Sequence, residues 1–256
     1  MPRSARKKSK SGYYHILLRG NNRQNIFTDD QDRSFFLKIM QRYKKELGFE
    51  IHAYCLMSNH IHLLLHDPNN QLDLIMKKIA GSYASYFNLK YDRVGHLFQD
   101  RFKSQSIEDD TYFLIVLRYI HQNPLKAQIA PDYNYAWSSH HEYMNSPKIT
   151  ETTFALDLLG GKADYISFLQ KEDETPCLDI VEKTRITDEE AKKIIKNIAG
   201  IESLEQIQKF DRANKSQTLN ALKEKGLTSR QIARLTGINR GTVLILCHGD
   251  GSADKF

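Results

Sequence analysis

The stretch Leu56–His66, LMSNHIHLLLH, constrains the fold of this chain more than any other. A β-strand sends successive side chains to opposite faces, so His60, His62, Leu64 and His66 share one side and Ile61, Leu63 and Leu65 the other. The aliphatic side must be buried, which fixes the register and leaves two imidazoles next to each other on a rigid strand. A second strand, at about Phe49 to Leu56, precedes it across a tight Met57-Ser58-Asn59 turn. Two strands joined so closely form a hairpin.

The flanking segments extend this hairpin into a domain. Tyr13–Arg19 reads as a strand that Gly20-Asn21-Asn22 terminates. Thr28 with Gln31 reads as a capping box, after which Phe35, Phe36, Ile39, Met40, Tyr43 and Leu47 recur at helical spacing. Leu72, Ile75, Met76, Ile79, Tyr83 and Phe87 mark a second amphipathic helix, and FQDRFKSQSI, 98–107, alternates as a fourth strand. The order strand-helix-strand-strand-helix-strand predicts an α+β, ferredoxin-like antiparallel sheet with helices on one face. A further helix, TYFLIVLRYIHQ, follows the acidic Glu108-Asp109-Asp110 and is expected to stop at Pro124. Tyr119 and Asn123 then share one helix face, about 6 Å apart along the axis, with Asn123 at the helix end.

The chain has 256 residues, enough for one sizeable core and a smaller module, and its 40% hydrophobic and 27% charged content excludes a disordered chain. A net charge of +6 favours a polyanionic partner. Cys55, Cys177 and Cys247 are scattered, which points to a reducing compartment without a disulfide framework. No apolar run reaches a membrane-spanning length and the basic start lacks a signal-peptide core, so a cytoplasmic protein with no membrane partner is expected. The expected organisation is a mobile basic arm (1–12), a catalytic domain (13–148), a linker region (149–186) and a helical domain (187–256).

Within that last domain, GLTSRQIARLTGINRGTVLIL, 226–246, has Thr228 placed to cap one helix, Gly237 to turn, and Asn239 to cap a second. This is helix-turn-helix spacing, with Arg240, Gly241 and Thr242 near the start of the recognition helix. A three-helix packing motif without a DNA role has the same spacing.

Neutral imidazoles at i and i+2 of a strand can share one divalent cation, and Mg²⁺ or Mn²⁺ would want further oxygen ligands such as the Asn123 side chain. Such a cation would polarise a phosphodiester oxygen. Tyr119, on the Asn123 face, is then a candidate nucleophile whose covalent phosphotyrosine would conserve the ester bond for later rejoining. Taken singly, a strand histidine or a helical tyrosine is more often structural, and only the combination points to chemistry.

The HIH strand after its SN turn, GHLFQDRFKS, LRYIHQNP, the opening YHILLRGNNRQNIF and the closing YAWSSH together resemble the single-tyrosine transposases of the HUH superfamily, in particular the REP-associated tyrosine transposases. The similarity covers about residues 12–145. The resemblance implies that His60, His62 and Asn123 bind the metal and that Tyr119 forms a 5′-phosphotyrosine with single-stranded DNA beside a palindromic hairpin. The family usually has an Ala-Gly pair where this chain has Ala127-Gln128. The C-terminal part resembles the DNA-binding domain of the initiator DnaA, which implies duplex DNA as a second partner.

Arg19, Arg101, Lys103 and Arg118 flank the motifs and are candidates for holding the DNA backbone. In the C-terminal domain the candidates are Arg230, Gln231, Asn239, Arg240 and Thr242. Tyr14, His66 and His121 lie near the motifs without an assigned chemistry. Relatives act as monomers or homodimers, and both are open here. The competing reading is a catalytically idle, sequence-specific regulator that binds DNA through the helix-turn-helix.

Overall fold

The structure, a computed structural model, describes residues 8–171, 175–179 and 186–248. The rest of the basic arm (1–7), parts of the expected linker (172–174 and 180–185) and residues 249–256 lie outside the described residues. The chain divides into two compact units, 1–179 and 180–256.

In the first unit the elements run β1 (Tyr13–Arg19), α1 (Asp30–Leu47), β2 (Glu50–Leu56), β3 (His60–His66), α2 (Leu72–Lys90), β4 (Lys103–Ile107) and α3 (Asp110–Lys126), then the shorter α4 (His140–Met144), α5 (Thr153–Leu159) and α6 (Lys162–Leu169). The four strands form one antiparallel sheet in the order β2-β3-β1-β4, the expected ferredoxin-like α+β topology. β3 is therefore an interior strand. Its Ile61, Leu63 and Leu65 join Phe36, Met40, Ile75 and Ile79 of α1 and α2 in one core. The opposite face is covered by α3, whose Phe113, Val116, Leu117 and Ile120 pack on Ala53, Cys55 and Leu64. That placement brings α3 to the histidine side of the sheet.

The hairpin turn is held from outside. Ser58 O accepts the Ile26 and Phe27 N–H groups at 2.8 and 3.1 Å, and Asn59 O accepts the Gly20 N–H at 2.8 Å. Gly20 is required there, because a Cβ would lie 2.2 Å from Gln24 O. The YAWSSH stretch lies along β2, with Leu56 N–H donating to Trp137 O at 2.9 Å and Ser139 N–H to Tyr54 O at 2.9 Å.

Several boundaries differ from the sequence expectation. The capping box of α1 uses Asp29 and Asp32, one residue beyond Thr28 and Gln31. The reason is Asp32, a buried carboxylate that accepts the Thr28 N–H at 2.8 Å and pairs with Lys90 at 2.8 Å. β4 begins at Lys103; Phe98 makes only an isolated bridge to Gly20. α3 runs through Pro124 to Lys126, and Asn123 O accepts the Ala127 N–H at 3.0 Å, so Asn123 lies inside the helix. The missing N–H of Pro124 removes one helical bond without ending the helix. In the stretch expected to be a linker, Ala155 of α5 and Tyr165 and Leu169 of α6 are fully buried in the α3 core. Residues 9–11 of the expected mobile arm are tied down, with Ser9 N–H donating to Tyr14 Oη at 2.8 Å and Lys10 N–H to Glu108 Oε2 at 3.0 Å.

The second unit comprises α7 (Asp188–Ala199), a 3₁₀ turn at Leu204–Lys209, α8 (Arg212–Glu224), α9 (Ser229–Thr236) and α10 (Arg240–His248). Its core includes Ala191, Ile195, Leu219, Leu222, Ile232, Ile238 and Val243. No helix among the described residues is long and apolar enough to cross a membrane.

Candidate active site

His62 is wholly buried beside its neighbours on β1 and β2, with Leu17 and Cys55 as its cross-strand partners. Its Nδ1 stands 3.1 Å from His15 Nε2, and its Nε2 has no hydrogen-bond partner. His60, one pleat away with ring centroids 5.1 Å apart, faces Asn59 Oδ1 with its Nδ1 at 2.7 Å. If these Nδ1 atoms carry the protons, both Nε2 lone pairs are left for a ligand. Burial pushes the His60 imidazole down to about 4, against the opposing effects of Asp179 and an Asn123 hydrogen bond, and burial holds His62 well below its ordinary range. Both rings are therefore neutral near pH 7, the form that ligates metals.

From the other side, α3 contributes Tyr119 and Asn123. The helix starts where the Asp109 side chain accepts the Tyr112 N–H at 2.8 Å, a cap the acidic run provides. Tyr119 and Asn123 are four positions apart on the helix, so both project towards β3. The Asn123 side chain is close enough to His60 to act on that ring, opposing the effect of burial. The Tyr119 ring meets His62 and His15 edge-on, with centroids 5.4 and 5.7 Å apart. Its hydroxyl is buried without a hydrogen bond of ordinary length, and Asp179 and Asn123 are the polar groups acting on it. Burial, then the hydrogen-bonding influence and charge of Asp179, hold this phenol above its ordinary value, while Asn123 opposes them. Lys126 Nζ lies 5.8 Å from the Tyr119 ring centroid.

The donor set fits a divalent cation. The unpartnered Nε2 of a buried imidazole, a second imidazole beside it and an amide oxygen are the combination the sequence suggested, and the Asp179 carboxylate adds an oxygen of the kind Mg²⁺ and Mn²⁺ prefer. Sequence reasoning missed His15, Asn59 and Asp179. Alternation along β1 was the available signal for His15, whereas nothing local marks Asp179, which returns from 56 residues beyond Asn123.

The predicted DNA contacts divide. Arg19 ends β1 opposite His60, where its charge acts on that ring. Arg101 and Lys103 are exposed, and Arg101 lines an open groove of about 610 Å³ between α2 and the loop 95–101. Arg118, expected at the DNA backbone, is instead only 5% exposed, with its guanidinium 4.4 Å from the Phe168 ring centroid, a packing position. His121 also faces inward, between Ser139 Oγ at 2.7 Å and Tyr165 Oη at 3.0 Å.

In the second unit, Thr228 caps α9 and Gly237 turns the chain with φ 71°. Asn239 Oδ1 accepts the Gly241 N–H at 2.8 Å. Arg230, Arg240 and Thr242 are exposed. Gln231 is corrected: its amide donates to Ile186 O at 2.8 Å and Asp188 Oδ1 at 3.1 Å, tying α9 to the start of α7.

Comparison with known proteins shows what this chain is similar to. Residues 8–123 match the family described as "Transposase IS200 like". Over these residues the chain is similar to the IS200-like transposases. A REP-associated tyrosine transposase solved bound to a REP hairpin is 16% identical, with a TM-score of 0.49 over 60% of this chain and 96% of that one. A candidate transposase from Deinococcus radiodurans R1 is 18% identical, with a TM-score of 0.34 over 50% of this chain and 98% of that one. The comparison with curated proteins finds no match.

Proposed function

We propose that the chain is a divalent-metal-dependent enzyme that cuts and rejoins single-stranded DNA beside palindromic hairpins, with Tyr119 as nucleophile. The observation that carries this reading is the approach of Tyr119 and Asn123 of α3 to His60 and His62 of β3 at one partly buried point. His60, His62 and Asn123 would hold Mg²⁺ or Mn²⁺, which when bound polarises a phosphodiester oxygen.

The Tyr119 oxygen attacks the phosphorus, the bond to the 3′ oxygen breaks, and a 3′-hydroxyl strand and a 5′-phosphotyrosine result. The phenol gives up its proton in that step. Burial beside Asp179 opposes its ionisation in the free protein, so the nucleophile is restrained until positive charge enters the site. Attack by a 3′-hydroxyl reverses the step and frees the phenol, so rejoining needs no external energy source. Arg19, Arg101 and Lys103 supply positive charge along the path of a strand.

A labelled single strand carrying a hairpin, incubated with Mg²⁺ or Mn²⁺, tests this. Wild type forms a covalent adduct, and Tyr119→Phe forms none while binding the strand as before. An adduct on the variant overturns the assignment. The exposed Arg240 and Thr242 at the start of α10 support a second activity, duplex binding by the C-terminal unit. Duplex preference with no cleavage under either cation would favour the idle regulator.

A further inference from the structure

At the far end of β3, roughly 20 Å from His60 along the strand, stands a second cluster that the chemistry above does not use. Glu50 and His66 are cross-strand partners, and the pairing then slips between Ile51 and Ala53. That β-bulge leaves His52 unpaired and aims its ring at the same side. Glu50 Oε2 lies 3.0 Å from His66 Nδ1 and 3.6 Å from His52 Nε2, and the three donor atoms all fall within 4.8 Å of one another.

We propose that Glu50, His52 and His66 form a second, structural metal site for a zinc-like transition-metal ion. Three observations carry it. His52 is 1% exposed, and neither of its ring nitrogens has a hydrogen-bond partner, an expensive state for a buried imidazole that an ion would relieve. Its Nδ1 faces Glu151 Oε2 at 3.6 Å, the outer carboxylate that orients a ligating histidine and leaves Nε2 for the metal. Two imidazoles and one carboxylate are the donor set of zinc rather than magnesium, and donors on a tetrahedral zinc stand about 3.3 Å apart. A small rotation of the partly exposed Glu50 carboxylate and His66 ring closes the widest edge, and a water completes the shell from the solvent side.

Tyr13 stacks on His66 with centroids 4.3 Å apart, so an ion here would fasten β2 and β3 under an aromatic lid. This site is independent of the catalytic reading.

Full-length protein stripped with a chelator and titrated calorimetrically with Zn²⁺ tests it. His66→Gln and Glu50→Gln, both at partly exposed positions, should each bind one equivalent fewer than wild type and lose the zinc-induced rise in melting temperature. X-ray absorption of the lost equivalent should show two imidazole nitrogens. Unchanged stoichiometry in both variants, or no zinc-induced rise in wild type, overturns the proposal. The Tyr119 adduct assay is unaffected by either result, so the two readings fail separately.

Discussion

His15 Nε2 lies 3.1 Å from His62 Nδ1, in a part of the sheet from which water is excluded. A cation on His62 Nε2 requires the proton on Nδ1, and His15 accepts it there. Burial pushes His15 itself down to about 3, so it remains a neutral acceptor.

If His60, His62 and Asn123 hold the metal as proposed, His15→Leu should weaken divalent-metal binding there about 10- to 100-fold. Metal titration of strand cleavage reads this. Activity should recover in part at saturating Mn²⁺, and an unchanged metal midpoint would count against the role of His15.

Glu142 supports the domain in a different way. Its Oε2 accepts the N–H groups of Lys148, Ile149 and Thr150 at 2.7, 2.8 and 2.9 Å, and Tyr54 Oη donates to its Oε1 at 3.1 Å. These bonds outweigh desolvation and hold its carboxyl below the ordinary value. A depressed folded value means the stabilisation is complete above the unfolded carboxylate value near ~4.3 and is lost as pH falls through the folded one. Glu142→Gln should cost roughly 2–4 kcal/mol near neutrality. In melting curves across pH, the gap from wild type should narrow below about pH 4.

Arg118→Met keeps most of the apolar stem but removes the guanidinium over Phe168. It should lower the melting temperature and leave hairpin-DNA affinity at low salt unchanged. Arg101→Ala should do the reverse, weakening binding and reducing its salt dependence by about one counterion. Fluorescence anisotropy at several salt concentrations separates the two.

In the C-terminal unit, Gln231→Ala should destabilise α9 against α7 by about 1 kcal/mol. Arg240→Ala should weaken duplex binding with little effect on stability. Thermal denaturation and duplex titration on the same preparations distinguish a packing glutamine from a surface arginine.

What the sequence reveals follows from how local each cause is. Alternation in β3 and four-residue spacing in α3 are local, and they expose His60, His62, Tyr119 and Asn123 without tertiary information. Arg118 and Gln231 mislead because charge and amide groups look the same in sequence whether solvent or a neighbouring element receives them. Phe168 and the start of α7 decide those two cases, each more than 40 residues away. Pro124 misleads differently: a proline's missing N–H argues for a stop, yet the packed α3 core carries the helix one turn further. His15 and Asp179 arrive from separate segments, and only the folded sheet brings them to the site.

The continuity of α3 through Asn123 also sets how this protein can tolerate insertions and deletions. One residue added between Tyr119 and Asn123 would turn one side chain about 100° relative to the other around the helix axis. A loop such as 92–101, by contrast, can change length at its tip while both groups stay in place. Drift in chain length is therefore confined to the loops, and the four-residue interval within α3 has no freedom to vary.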